Sequence, residues 1–95
     1  MKKINKVNFT KRADRDLDKL VVNIKKHQSP KVAKDFTDDL NRVIELVQEQ
    51  PEMFEASEKI SGTRRGLFHK YGAFLYRVFK KSIRIVTLFD TRTKQ

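Results

Sequence analysis

The sequence predicts an α+β fold in the order β-α-α-β-β-β, one antiparallel sheet with a two-helix hairpin packed on one face. Three observations lead there. Between Thr10 and Pro51 apolar residues recur twice at helical spacing, whereas from Arg64 onward they fall in short aromatic and β-branched runs. The pair Ser29-Pro30 divides the two helical stretches, and residues 51–63 divide them from the strands. A length of 95 residues fits one domain, residues 1–95, with room for one sheet under one helical layer.

The elements follow in order. Lys3 to Phe9 reads as a short strand with Val7 and Phe9 on one face. Thr10 can cap a helix to about Lys26, in which Ala13, Leu17, Leu20 and Ile24 form the apolar stripe. Asp14, Asp16 and Asp18 crowd its first turns and Lys25 and Lys26 close it, the arrangement the helix dipole favours; they read as a solvated face. Ser29 can cap the next helix and Pro30 fits its first position, where no hydrogen bond is lost. Val32, Phe36, Leu40, Val43 and Val47 then mark a second helix that Pro51 ends, giving an antiparallel hairpin. In the connection over 51–63, Met53, Phe54 and Ile60 are expected to tuck under the domain edge. Arg64 to Lys70, Ala73 to Phe79 and Ile83 to Phe89 read as a three-stranded meander whose last two strands are central. The expected core sets Leu17, Leu20, Phe36, Leu40 and Val43 against Phe74, Tyr76, Val78, Ile83 and Ile85, with the other face of the sheet partly open.

Charge narrows the function. The formal net charge is +10, and it is localised: residues 1–63 hold 13 basic and 11 acidic side chains, residues 64–95 nine and one. Such a closing third suits a polyanionic partner, either nucleic acid or an acidic protein segment. Without cysteine there is no disulfide or thiolate site, and His27 and His69 stand far apart, so neither metal nor cofactor is expected. Ile4 to Phe9 is broken by Asn5, Lys6 and Asn8, no run approaches a membrane span, and a cytoplasmic protein is expected.

Within the basic third, Arg65, Arg77, Arg84 and Arg92 are the foremost candidates for function. Arginines beside buried strands need a phosphate, a carboxylate or water. Arg64, Lys70 and Tyr71 join Arg65, Arg84 and Arg92 as candidate target- or partner-binding residues, Tyr71 because a turn leaves its ring open to stacking. Tyr76 reads as core beside Phe74 and Val78, Lys80 and Lys81 as solubility charges at a hairpin tip, and His69 as an exposed strand histidine or an acid–base group.

The chain resembles the RelE/ParE superfamily of bacterial toxins from type II toxin–antitoxin modules. FTKRADRDLDKL is similar to the family's opening strand and A-x-x-D-L helix, QEQPEMF to its helix-ending proline, and YGAFLYRVFKKSIRIVTLFDTR to its closing hairpin. The resemblance implies a toxin neutralised by a cognate antitoxin, which the basic third would favour as acidic. It also implies one of two targets: RelE-like members cut mRNA in the ribosome as metal-independent endoribonucleases, and ParE-like members poison DNA gyrase. If this chain is a nuclease, the catalytic candidates are His69, Arg65, Arg77 and Arg92: Arg65 and Arg92 by the resemblance, Arg77 as a charge supplied from a shifted position and His69 as the acid–base group. Aligned on Gly72, Arg65 and Arg92 match basic positions of the RelE-like pattern, and His69 is expected on the face of Arg65. Leu67 and Ala73 stand where that pattern has two further cations, and the tail to Gln95 lacks its base-stacking tyrosine. These departures point toward a ParE-like toxin, with the ribosome-dependent mRNA interferase as the alternative. A non-toxic basic RNA-binding module is a third reading; against it, the chain lacks exposed aromatic pairs at stacking spacing.

Overall fold

Capping fixes both helices. Thr10 is extended, and its Oγ1 accepts from the Ala13 amide at 3.0 Å. Ser29 does the same for Val32 at 3.1 Å, with Pro30 following as the first helical residue. In this computed structural model, which describes residues 3–92, the elements are β1 (Lys6–Phe9), α1 (Lys11–His27), α2 (Pro30–Glu49), β2 (Arg64–His69), β3 (Gly72–Val78) and β4 (Ser82–Asp90).

The helical hairpin covers one face of the sheet, as the apolar stripes require. Phe36, Leu40, Phe74, Tyr76, Ile83 and Ile85 are all buried there, while Leu17, Leu20 and Val43 are half-buried at its margin. On α2 the buried line runs Ala33, Phe36, Leu40, Ile44 and Val47, so Val32 and Val43 flank it. Val78 departs from expectation: it is 39% exposed, because α2 ends at Glu49 and this end of β3 faces a groove under Gln50–Met53.

Strand order is β1-β4-β3-β2, which places β3 and β4 centrally. The meander is antiparallel as expected, but β1 pairs parallel with β4, Val7 opposite Ile83 and Phe9 opposite Ile85. The sheet is therefore mixed. Strand direction follows the path of the long crossover through both helices and the meander, and apolar alternation does not encode it. Beyond Ile85 a bulge at Val86 shifts the register of β4 against β3. There β1 has ended, and α1 takes over the free edge of β4. The Thr10 amide donates to Ile85 O (3.0 Å), Thr10 Oγ1 to Val86 O (2.7 Å), and the Leu88 amide to Asp16 Oδ2 (3.2 Å). Thr87 Oγ1 also donates to that carboxylate at 2.6 Å. Asp16 is thus a strand-edge ligand rather than part of a solvated face, as Asp14 and Asp18 are.

The connection over 51–63 is tied down along its length. Tyr76 Oη donates to Pro51 O (2.8 Å), Arg64 to Phe54 O (2.6 Å) and the Arg65 amide to Glu55 O (3.0 Å), so its first half lies along the outer edge of β2. Phe54 and Ile60 are half-buried as expected, whereas Met53 is exposed. Its second half turns across the face opposite the helices, which is therefore less open than the sequence implies: Ser61 O receives Arg77, and Lys59 stands over Phe89.

Candidate functional site

The pairing registers define three rows across the face opposite the helices. Arg65, Leu75 and Thr87 form one, Leu67, Ala73 and Phe89 a second, and Arg77, Arg84 and Asn8 a third. These nine residues include no histidine and no carboxylate.

The cations on this side lean on aromatic rings rather than on acids. Arg65 Cζ and Lys59 Nζ each lie 5.4 Å from the centroid of Phe89, and Arg84 Cζ lies 4.8 Å from that of Phe79. A ring face orients a cation without neutralising it. Among the described residues, no carboxylate comes within ion-pair distance of Arg65, Arg77, Arg84 or Lys59. Arg77 donates to Ser61 O at 3.0 Å and passes under Gly62, where a Cβ would stand 2.6 Å from Nη1. Only glycine suits that φ of 81° and that approach.

A second group gathers at the β2–β3 turn. Arg92 Cζ stacks 4.2 Å from the Tyr71 centroid and Lys70 Nζ lies 5.1 Å from it. Arg92 also grips Asp90 through Nε (3.1 Å) and Nη2 (2.8 Å). Those hydrogen bonds hold the Asp90 carboxyl below the usual carboxylate range and raise the guanidinium further. Tyr71 is therefore already stacked, and the charge of Arg92 is matched locally. Arg64 spends its guanidinium on Phe54 O and so fastens the connection.

His69 is placed differently from expectation. The bulge between Leu67 and His69 turns its ring toward α2, where it meets the edge of Phe36 at 5.2 Å between centroids and Asp39 Oδ2 at 4.0 Å from Nε2. Its side chain is 10% exposed, and Nδ1 accepts the Tyr71 amide at 3.1 Å. Desolvation first, then Lys70, lowers its pKa, against an opposing pull from Asp35. The imidazole thus packs against Phe36 on the α2 side, with Nδ1 used by the Tyr71 amide. The quartet His69, Arg65, Arg77 and Arg92 is split among the α2 side, the middle of the outer face, the hairpin end and the β2–β3 turn.

Sequence reasoning missed Lys59, because the path of the connection leaves no signal in composition. It also missed that Phe79 and Phe89, which read as strand residues, serve as seats for cations. Among the described residues no group of three or more His, Asp or Glu side chains is arranged to hold a metal ion, and no helix is long and apolar enough to cross a membrane.

Fold and site together define a small basic α+β domain that presents, on the side of its sheet opposite the helices, cations with no ion-pair partner among the described residues. The family profile described as ParE toxin of the type II toxin–antitoxin system, parDE, matches residues 7–94, and the chain belongs to that family of toxins. Among solved structures, a chain of the chromosomal ParDE system from P. aeruginosa superposes with a TM-score of 0.75 at 19% identity, covering 92% of this chain and 96% of that one. A chain of the RelBE2 toxin–antitoxin complex from Mycobacterium tuberculosis gives 0.61 at 18%, covering 90% and 95%. One from the E. coli DinJ-YafQ toxin–antitoxin complex gives 0.63 at 11%, covering 92% of each. No curated protein matches by sequence comparison.

Proposed function

We infer that this toxin acts by binding DNA gyrase rather than by cutting RNA, and that an acidic cognate antitoxin holds it inactive. The observation that carries the reading is the row Leu67–Ala73–Phe89. At the two positions where the RelE-like pattern places cations, this chain puts apolar side chains directly opposite each other, in the row of the outer face nearest the β2–β3 turn. Cleavage through a 2′-hydroxyl needs a proton acceptor, a proton donor and cations on the phosphate that gains charge. Here the arginines of this face, Arg65, Arg77 and Arg84, lie in the rows to one side of that apolar row, and the nearby imidazole of His69 faces α2.

Binding makes no such demand. Exposed Leu67 next to Arg65 on β2, with Arg77 and Arg84 further along the same face, suits a protein surface with carboxylates around an apolar contact. Two of the solved neighbours come from toxin–antitoxin complexes and one from a ParDE system, which supports an antitoxin as the partner that covers part of this surface. The test compares wild type with His69→Gln in a gyrase supercoiling assay and a ribosome-dependent mRNA-cleavage assay. Supercoiling inhibition that survives His69→Gln is expected. Ribosome-dependent cleavage that falls by roughly a hundredfold or more in the variant, the scale of a lost acid–base group, would overturn the reading.

A further inference from the structure

The parallel pairing of β1 with β4 has an electrostatic result that lies apart from the outer-face rows. Register sets Lys6 opposite Ser82, the residue that follows Lys80 and Lys81 at the β3–β4 hairpin tip. Lys3, Ile4, Asn5, Lys6, Lys80 and Lys81 together line a shallow cavity of about 340 Å³. Two lysine pairs from opposite ends of the chain thus meet at one end of the sheet, and Arg84 stands two residues further along β4. All four lysines are exposed, and among the described residues none has a carboxylate within ion-pair distance.

We propose that this lysine end is a docking surface for the phosphate backbone of duplex DNA. Four like charges in one cleft repel one another and persist at little cost only where solvent, or a dense array of anions, surrounds them. Lysine ammoniums on flexible stems are point charges that suit phosphates without a fixed fork geometry, whereas carboxylates are better matched by the planar fork of arginine. Duplex fits better than single strand. Single-stranded nucleic acid is held by stacking bases on open aromatic faces, and the exposed ring at this end, Phe79, has the guanidinium of Arg84 4.8 Å from its centroid. The charged side chains lining the cleft are all lysines, and the α2 turn beside it is engaged with Ile4 through Gln48, so contact is with the backbone and independent of base sequence. The proposal rests on the gyrase reading for its biological setting, because gyrase holds duplex DNA: the outer face would engage the enzyme while the lysine end engages the DNA beside it.

The experiment measures fluorescence anisotropy of a labelled 20-base-pair duplex against salt concentration, for the intact toxin and two triple variants. One is Lys6→Gln/Lys80→Gln/Lys81→Gln; the control, Lys19→Gln/Lys25→Gln/Lys26→Gln, removes the same charge from α1. Each lysine that neutralises a phosphate adds roughly 0.9 to the slope of log affinity against log salt. The lysine-end variant should therefore lower the slope by about 2–3 and the control by less than about 1. Equal losses in both variants would reduce the effect to net charge and overturn the proposal. So would a lysine-end variant that keeps its DNA slope but binds the antitoxin more weakly, since the surface would then belong to an acidic protein segment. Supercoiling inhibition by the intact toxin, run in parallel, keeps the two readings separate. A toxin that leaves gyrase untouched yet shows the slope difference sinks the gyrase reading and upholds the surface; gyrase inhibition without the slope difference does the reverse.

Discussion

The two faces of this sheet use aromatic residues in opposite ways. Toward the helices, Phe36, Phe68, Phe74 and Tyr76 meet ring to ring at 4.9–5.9 Å and exclude water. On the other side Phe89, together with Phe79 near the hairpin tip, lies under cations that have no acid partner among the described residues. The first arrangement lowers the energy of the folded chain through burial and packing. The second adds little stability and orients the charges without neutralising them. A change on one face should thus be read in stability, and a change on the other in binding.

The sharpest way to break this division is Phe36→Ala. Phe36 is fully buried and touches Phe68, His69 and the backbone at Gly72, so its loss should cost about 3–5 kcal/mol. Chemical denaturation measures it; a cost below about 1 kcal/mol would mean that the helices do not seal this face. Gly72→Ala attacks the same contact by overfilling it. A Cβ there would lie 2.5 Å from Phe68 and 2.6 Å from Phe36, and destabilisation of about 1–3 kcal/mol is expected in the same assay.

On the other side, Arg65→Gln/Arg77→Gln should leave stability within about 0.5 kcal/mol, the usual range for surface changes, although Arg77 gives up its bond to Ser61 O. The same variant should weaken the antitoxin complex and flatten its salt dependence. An unchanged salt dependence, measured by titration calorimetry at two ionic strengths, would remove these arginines from the interface.

The smallest effect sharpens the placement of His69. Its folded pKa lies below the ordinary 6.5, so below pH 6.5 the unfolded chain takes up a proton that the folded one resists. This contribution is absent above pH 6.5 and destabilises the fold progressively as pH falls through it. His69→Gln should therefore flatten the stability profile as pH falls below 6.5. A steeper profile in the variant would place a charged imidazole beside Asp39 in the native protein.

The sequence by itself determined the elements and most of the buried side. Capping by Thr10 and Ser29, the proline stops and the change from helical to alternating period are local, so they locate both helices and the meander to within a residue or two. The family resemblance was legible for the same reason, since it rests on the order of those elements. Charge placement along the chain was legible too, since it is a property of the residues and not of their contacts. What only the tertiary structure decided depends on chain path and register. Parallel entry of β1 joins Lys3 and Lys6 to Lys80 and Lys81, the bulge before His69 turns a candidate catalytic group toward α2, and the route of residues 51–63 brings Lys59 over Phe89. Each of these contacts joins elements through long-range packing, whose geometry is fixed by how the whole core closes and leaves no periodic trace in the residues that it brings together.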